Sequence, residues 1–542
     1  MRELESFGFP ELSDEAVIAQ STPSWRSSIS ASEIITSPRC IATITTDRAR
    51  ILRSGEGTAP LLSSINPAAT STAGRRCDTV EVMNQSAIAP QPLAVFDFGK
   101  TNAKMFVFAA NLSILYEERC TPVWRDHGPY RVLDDQTLWI WMQAALRRGR
   151  RAAPIGGIMV TTHGCTGALI GRDSLVYPIL DYESVAPAEI EQAFAPLVPD
   201  FQETFSPPLP TCMNFGKQLF WIEETEPQVW ASTEAVVPYP QFWCWRLGAP
   251  PVSELTSLAC HTHLWSPRHN DFSSLAHTRG WRERFPAFAS AGAVIGSFSL
   301  DGTNLRIHNG VHDSNASLYL YHRMGEHRGC ALVSTGTWVV SFNPHCPLEA
   351  LNAERDMLVN ITVNGDKVPT ARFMGGREFD LLTHNAHVAV TKESIEKAIQ
   401  RQQFALPSFT PGGPFPNMLG RLVGPSSESA EQRAAIATLY LACMTSTELD
   451  LLHSKRSVLV DGGLAGNAAY LGLLAALRDQ QKVLRSDSIE GTAAGAAAIA
   501  YAELGHRPAP NSCTVVEPLR AAGLKSYHRQ WRRLCGVEKS QG

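Results

Sequence analysis

The feature that most constrains the fold is a strand-turn-strand pattern that occurs twice in the chain. Residues 93–108, LAVFDFGKTNAKMFVF, place two runs of β-branched and aromatic residues on either side of a short polar turn. Residues 331–342, ALVSTGTWVVSF, repeat this arrangement later in the chain, around Gly336-Thr337 where the first turn has Gly99-Lys100-Thr101. The repeat predicts two similar halves, each of which offers a turn to the same ligand.

The first turn carries the last letters of a phosphate-binding P-loop, Gly99-Lys100-Thr101, without the rest of that motif. Ala94 stands where a P-loop has its first glycine. A P-loop also leads into a helix, whereas the residues that follow here, KMFVFA, favour a second strand. We therefore predict a β-hairpin; the alternative is an ordinary tight hairpin that binds nothing.

A hairpin of this composition can still hold phosphate. Gly99 lets the backbone approach a ligand closely, while Thr101 and Asn102 offer hydroxyl and amide donors. Asp97, beside the turn, is a candidate for orienting a hydrated Mg²⁺.

Further segments carry candidate functional residues. IHNGVHDSNAS, residues 307–317, places Asp313 where a carboxylate could act as a general base, although a turn former or helix cap is the alternative. LVDGGLAGN, residues 459–467, ends a strand in glycines and precedes an apolar helix. EGTAAGAAAIA, residues 490–500, predicts a helix of small residues that packs very close to its neighbours.

In this order, the segments resemble the FGGY family of carbohydrate kinases, whose motifs are D-x-G-T-[TN], G-x-[HG]-D-[TS], [ST]-[TSG]-G-T-[STW] and G-G-G-x-x-[KRG]-N. The resemblance extends from about Leu93 to Gly505 and includes residues 159–182 and 214–223. It implies an α/β fold of two ribonuclease H-like domains of the actin-like ATPase type, with mixed sheets flanked by helices. The active site is expected in the cleft between the domains.

The resemblance also implies a domain organisation. Residues 1–90, rich in Ser, Thr, Ala, Pro and Arg, are expected to be a disordered leader, unless translation starts at Met83. Residues 91–327 are expected to form the N-terminal sugar- and phosphate-binding domain, and residues 328–505 the C-terminal nucleotide-binding domain. Residues 506–542 are expected to be a C-terminal tail.

Roles follow residue by residue from the matched motifs. Asp313 is expected to deprotonate the sugar hydroxyl, and Asp97 to orient Mg²⁺ through water. The residues expected to contact ATP are Gly99, Lys100, Thr101, Asn102, Lys104, Thr335, Gly336, Thr337, Gly462, Gly463 and Asn467. The residues expected to contact the sugar are His163, Asp181, Gln218 and His312; the alternative for His163 and Asp181 is a core histidine and a loop aspartate.

Within the family, VTTHG, HDSNAS and STGTW look closest to the kinases of L-fuculose and L-rhamnulose. A pentulose or polyol kinase is the alternative, because Ile179-Leu180-Asp181 replaces the usual Trp-Asn-Asp of the sugar site. Lys104 also stands where many members carry Arg, and Lys100 where many carry Thr, which alters geometry while adding or keeping positive charge.

Composition excludes several classes of function. The chain has 542 residues, of which 18% are charged, and its net charge is −4, so it carries no basic footprint for nucleic acid. Its twelve cysteines include no C-x-x-C pair, and no apolar run is long enough to cross a membrane. We therefore expect a cytoplasmic enzyme with ATP, Mg²⁺ and a small sugar as ligands; a homodimer is left open.

The same fold also occurs in proteins with other functions. A sugar-sensing repressor requires a helix-turn-helix ahead of Leu93, and the leader shows none. An actin-like ATPase that acts through a protein partner would need a further domain after Gly505, and a catalytically dead member is disfavoured by the presence of Asp97 and Asp313. His261 and His263 are interpreted as a strand's same-face pair bordering the sugar site, not as metal ligands.

Overall fold

The computed structural model describes residues 90–322, 329–386, 388–426, 429–488, 490–509 and 512–537. The leader predicted from sequence lies outside the described residues, apart from position 90. No helix in the described part of the chain is both long enough and apolar enough to span a membrane.

The first half contains thirteen strands and nine α-helices among the described residues. Its strands are β1 Leu93–Phe98, β2 Ala103–Phe108, β3 Ile114–Cys120, β4 Trp124–His127, β5 Tyr130–Leu133, β6 Gly157–Thr162, β7 Gly167–Ile170, β8 Ala235–Pro238, β9 Trp265–Ser266, β10 Asp271–Phe272, β11 Val294–Leu300, β12 Thr303–His308 and β13 Val311–His312. Its helices are α1 Asp135–Ala152, α2 Ala188–Phe194, α3 Phe201–Thr204, α4 Phe215–Thr225, α5 Pro227–Ser232, α6 Tyr239–Arg246, α7 Leu255–Leu258, α8 Ser274–Thr278 and α9 Asp313–His322.

The second half contains nine strands and six α-helices within the described ranges. Its strands are β14 Ala331–Thr335, β15 Val339–Phe342, β16 Met357–Ile361, β17 Lys367–Phe373, β18 Phe404–Leu406, β19 Arg421–Val423, β20 Val458–Gly462, β21 Val483–Ser486 and β22 Cys513–Val515. Its helices are α10 Gly375–Thr383, α11 Lys392–Gln400, α12 Ala430–Leu451, α13 Ala468–Leu477, α14 Gly491–Glu503 and α15 Leu524–Leu534.

Each half is built around one mixed sheet, and the two sheets share a central pattern. The strand order is β11-β12-β6-β1-β2-β3 in the first and β16-β17-β15-β14-β20-β21-β22 in the second. β1 is antiparallel to β2 and parallel to β6, while β14 is antiparallel to β15 and parallel to β20. The duplication and the α/β fold class predicted from sequence are confirmed.

The first Gly-Thr segment is a β-hairpin, as predicted. Phe98 pairs with Ala103, so residues 99–102 form a four-residue turn. Nearly every residue of β1 and β2 is buried, because helices cover both faces of the sheet. The strands must therefore be apolar along their whole length, and polar chemistry is confined to their ends.

The helices α9 and α14 pack against each other and join the two halves. Their approach is very close at Gly495, where a Cβ atom would lie 2.0 Å from the carbonyl oxygen of Ala316. Only glycine fits such a contact, and the alanines around it give most of α14 small side chains. The close packing predicted for EGTAAGAAAIA is confirmed.

The segment that the sequence analysis sets apart as a tail contributes to the second half. β22 pairs with β21 at the edge of the second sheet. α15 buries Leu524, Tyr527 and Trp531, which lie on one helical face at spacings of three and four, and the Trp531 indole donates to the Ala405 carbonyl at 2.8 Å.

Candidate functional site

Two cavities meet at the two Gly-Thr hairpins. The inner cavity, about 300 Å³, is lined by residues of both halves. The outer groove, about 1010 Å³, is lined mainly by the second half. Four hairpin residues line both spaces: Thr101, Asn102, Gly336 and Thr337. Ligands in the two spaces would therefore meet at the same pair of turns.

The first turn is held in shape by its own backbone. The Gly99 amide donates to the Asn102 carbonyl at 2.9 Å, and a Cβ atom on Gly99 would lie 3.1 Å from that oxygen. Thr101 and Asn102 are exposed at the tip, so their donors are free to face a ligand.

Lys100 points away from its turn. Its ammonium contacts the carboxylate of Asp181 and lies 3.6 Å from the centroid of the Trp124 ring. Burial lowers the pKa of Lys100, and the Asp181 charge works against that shift. Asp181 is itself fully buried and is not among the residues that line either cavity.

The second turn is packed against glycines of neighbouring elements. A Cβ atom on Gly376 would lie 2.1 Å from the Gly336 carbonyl oxygen, and one on Gly462 would lie 2.0 Å from the Thr335 carbonyl oxygen. Thr335 itself is buried, and its hydroxyl donates to the Asp461 carbonyl at 2.6 Å. The backbone of Gly336 and Thr337 is thus presented to ligands on a rigid support.

The outer groove reaches the start of α13. Gly463 and Asn467 line it, and the Asn467 side chain caps the helix by accepting the Tyr470 amide at 3.0 Å. The predicted Gly462 lies just behind the groove with φ of +87°, a conformation that favours glycine. The groove offers free backbone amides and a positive helix end near the hairpins.

Asp97 lies at the end of β1 and lines the inner cavity. Burial raises the pKa of Asp97 to about 7; Lys104 works against this rise, while Asp313 and Glu490 add to it. A divalent cation would offset this crowding of carboxylates, and oxygen donors are the ligands that Mg²⁺ prefers. The described residues contain no group of three or more histidine, cysteine, aspartate or glutamate side chains placed to hold a metal ion.

Lys104 connects the site to the second half. Its ammonium lies 2.8 Å from a Glu490 carboxylate oxygen, and Arg119 reaches the other oxygen at 2.9 Å. Arg377 of the second half similarly contacts Glu183 of the first at 2.8 Å and also lines the outer groove. The two ion pairs join the halves on either side of the hairpins.

Asp313 begins α9 and faces the inner cavity with its side chain 30% exposed. Its Oδ1 accepts from the Ser314 hydroxyl at 3.1 Å and lies 3.2 Å from His312 Nε2. Asn315 Nδ2 lies 3.0 Å from His312 Nδ1, which makes Nδ1 the acceptor and leaves the proton on Nε2, facing the carboxylate. Burial lowers the pKa of His312, so the ring is neutral near pH 7 and orients Asp313 through this contact.

The other sugar-site candidates separate into two groups. His163 lines the inner cavity, and its Nε2 has no hydrogen-bond partner among the described residues. Burial lowers the pKa of His163 to about 4. Gln218 is buried away from the cavity and donates to the carbonyls of Cys165 and Cys212, both at 2.6 Å. The structure thus places His163, His312 and Asp313 together on the inner cavity. Gln218 and Asp181 are not among the residues that line it.

Sequence reasoning missed several residues that line the inner cavity, notably Tyr182, Asn360 and Arg372. Arg372 and Asn360 come from the second half and are brought to the site only by tertiary folding. The sequence does contain a signal for a polar strand face, since polar residues alternate with apolar ones in NITV and PTARF. His261 also lines the cavity, but it lies in a loop at φ of +42° and not in a strand as predicted; His263 is outside the cavity wall.

Comparisons with known proteins agree with the motifs. The model of the carbohydrate kinase FGGY C-terminal domain matches residues 327–508. The crystal structure of a carbohydrate kinase from Novosphingobium aromaticivorans covers 83% of this chain and 99% of its own length, at 30% identity and a TM-score of 0.72. No curated protein matches the sequence significantly.

More distant structures show the fold alone. The ligand-bound xylulose kinase from Lactobacillus acidophilus covers 82% of this chain and 97% of its own, at 14% identity and a TM-score of 0.68. Gluconate kinase from the same organism gives the same coverage and identity, 82%, 97% and 14%, with a TM-score of 0.67. The carbohydrate kinase from Novosphingobium aromaticivorans, by contrast, is matched over nearly its whole length at 30% identity. The chain therefore belongs to the FGGY family of carbohydrate kinases.

Proposed function

We propose that this carbohydrate kinase transfers the γ-phosphoryl group of ATP to a terminal hydroxyl of a ketose bound in the inner cavity. The observation that carries the proposal is the meeting of the two cavities at Thr101, Asn102, Gly336 and Thr337. ATP in the outer groove would direct its phosphates to these turns, with the adenosine along Gly462, Gly463 and Asn467. We also propose that residues 91–327 and 328–505 are the two domains.

Asp313 is proposed as the general base. The sugar oxygen forms a bond to the γ-phosphorus as the bond from that phosphorus to the β-phosphate oxygen breaks, and the hydroxyl proton passes to Asp313. His312 would hold the carboxylate in place through its contact with Oδ1. Because the transition state is loose, the turns contribute mainly by positioning the phosphates and donating hydrogen bonds to their oxygens.

The proposed metal is Mg²⁺, for which Asp97 is the candidate side chain on this chain. Bound with ATP, it would neutralise charge on the transferring oxygens. Asp97 would act through water, since its carboxylate sits at the base of the hairpin and not at its tip. Lys104 would remain paired with Glu490. Its positive charge would then lie near the phosphates and stay accessible to solvent.

L-Fuculose and L-rhamnulose are proposed as the first acceptors, with pentuloses and polyols as the second choice. The motif resemblance supports this order, and so does the mixed lining of the inner cavity. Tyr182, Met213 and Leu358 offer apolar surface for a methyl group, while His163 offers a polar partner for a hydroxyl. The cavity volume of about 300 Å³ suits one monosaccharide better than a larger acceptor.

The test is coupled ADP release from purified protein with Mg²⁺ and ATP against L-fuculose, L-rhamnulose, L-ribulose, D-xylulose, glycerol and D-gluconate. Mass spectrometry of the product should show one added phosphoryl group. The matched controls are omission of the acceptor and an Asp173→Asn variant, which changes an exposed turn aspartate. Binding of ATP without phosphorylation of any acceptor would contradict the proposed substrate class and favour a sugar-sensing role.

A further inference from the structure

One face of the second sheet forms a wall of the inner cavity. Val340 on β15, Arg372 on β17 and Asn360 on β16 all line it, together with Thr370 and Leu358. These residues lie at alternate positions of their strands, and the register pairs Val340 with Arg372 and Leu358 with Thr370. Side chains at alternate positions share a face, so the wall is a continuous patch across three strands.

Two buried polar atoms in this patch lack hydrogen-bond partners among the described residues. Arg372 is 6% exposed; its Nε donates to Asp356 at 3.1 Å and its Nη1 to His261 at 3.1 Å, but Nη2 has no acceptor. Asn360 is 2% exposed; its Nδ2 donates to the Thr370 hydroxyl at 3.0 Å, but Oδ1 has no donor. Buried polar atoms are normally paired, so these two indicate a missing ligand.

The ligand must both accept and donate. Arg372 Nη2 requires an acceptor and Asn360 Oδ1 requires a donor, and hydroxyl groups supply both. A carboxylate could accept from Arg372 but could not donate to Asn360. Moreover, the Asp356 carboxylate already balances the charge of Arg372. The patch therefore fits an uncharged polyhydroxylated chain better than an acidic sugar.

The patch also lies away from the phosphate turns. β15 leads directly from the second hairpin, while β17 and β16 are the next two strands outward. Strands are spaced about 4.8 Å apart, so Asn360 lies roughly 10 Å across the sheet from β15. Because Asp313 and Asn360 line the same cavity, a hydroxyl bound at Asn360 and a hydroxyl reacting near Asp313 could belong to one acceptor.

We infer that Arg372 and Asn360 form a specificity subsite in the second half that binds the far hydroxyls of an uncharged sugar of five or six carbons. The inference rests on the proposed function, because it assumes that the acceptor occupies the inner cavity. It adds that the second half helps to choose the sugar, so that acceptors too short to reach this wall are poor substrates.

The test compares wild type, Asn360→Ala and Arg372→Lys with glycerol, D-xylulose, L-rhamnulose, L-fuculose and D-gluconate, measuring kcat and KM separately. Arg372→Lys keeps a positive charge beside Asp356 but replaces the guanidinium by a single ammonium, so both the unpaired nitrogen and the donor to His261 are lost. For the best long acceptor we expect KM to rise about three- to tenfold in Asn360→Ala and about tenfold or more in Arg372→Lys. The KM for ATP should not change, because neither residue lines the outer groove.

Asn343→Ala is the matched control, because Asn343 is a buried asparagine beyond the end of β15 that donates to the Leu452 carbonyl at 2.7 Å and is not on the cavity wall. It should lower stability without moving any acceptor KM. An unchanged acceptor KM in both subsite variants, or a preference for D-gluconate, would overturn the inference while leaving the kinase assignment intact. Failure of wild type with every acceptor would overturn the proposed function and the inference with it.

Discussion

Replacing Asp313 with Asn separates its chemistry from its role in the fold. The two hydrogen bonds to the Asp313 carboxylate both end on Oδ1, from the Ser314 amide at 2.5 Å and the Ser314 hydroxyl at 3.1 Å, and His312 Nε2 lies 3.2 Å from the same oxygen. An asparagine carbonyl can accept the same donors. The other carboxylate oxygen is replaced by an amide NH₂ group, which cannot take a proton from a sugar hydroxyl.

The expected magnitudes differ sharply between activity and stability. Loss of a positioned general base lowers turnover by about 10²- to 10⁴-fold, which corresponds to about 3–5 kcal/mol of barrier. The stability change is smaller: charge-assisted bonds become neutral ones, a loss of about 1–2 kcal/mol, and removing a charge near Asp97 works in the opposite direction.

The assay is single-turnover phosphoryl transfer, with nucleotide affinity measured by calorimetry and unfolding followed in urea. Asp173→Asn serves as the matched substitution, and it should retain wild-type turnover. Turnover of Asp313→Asn within tenfold of wild type, in a variant that folds and binds ATP normally, would refute the assignment of the base.

Three further outcomes are expected. Gly495→Val should destabilise the protein by about 1–3 kcal/mol in urea unfolding, because its Cβ would meet the Ala316 carbonyl at 2.0 Å; an unchanged midpoint would show that α9 can move aside. Lys100→Met should cost about 3 kcal/mol, because it leaves the buried Asp181 carboxylate without its main partner, and adding Asp181→Leu should recover most of that loss. Stability should fall as the pH falls from about 6.5 to about 4, because burial lowers the pKa of His263 to about 4 and the unfolded chain takes up a proton that the folded chain refuses. His263→Asn should flatten this part of the stability curve by roughly 3 kcal/mol, and an unchanged slope would contradict the assigned cause.

The hairpins and the duplicated sheets could be predicted from sequence because their signals are local. Continuous apolar runs on either side of a short turn that contains Gly and Thr specify two paired strands over sixteen or fewer neighbouring positions, and the small residues near Gly495 indicate a close helix contact. Asp97 and Asp313 were found for the same reason, since each follows directly from a short motif. Local signals therefore located both turns and both acidic residues of the inner cavity.

The rest of the cavity depends on contacts between distant parts of the chain. Arg372 meets His261 across 111 positions, and Lys100 meets Asp181 across 81. Nothing next to Lys100 in the sequence indicates that its ammonium leaves the turn for a buried carboxylate. The loop at His261 likewise adopts a left-handed backbone that its own residues do not favour, because surrounding packing imposes it.

The four residues that line both cavities have a thermodynamic consequence. Thr101, Asn102, Gly336 and Thr337 cannot respond to a ligand on one side without altering the surface seen from the other. In the proposed arrangement, with ATP on one side and the sugar on the other, such a shared wall creates a coupling free energy between the two ligands, and linkage requires it to be reciprocal. Whatever factor ATP contributes to the affinity for the acceptor, the acceptor must contribute to the affinity for ATP.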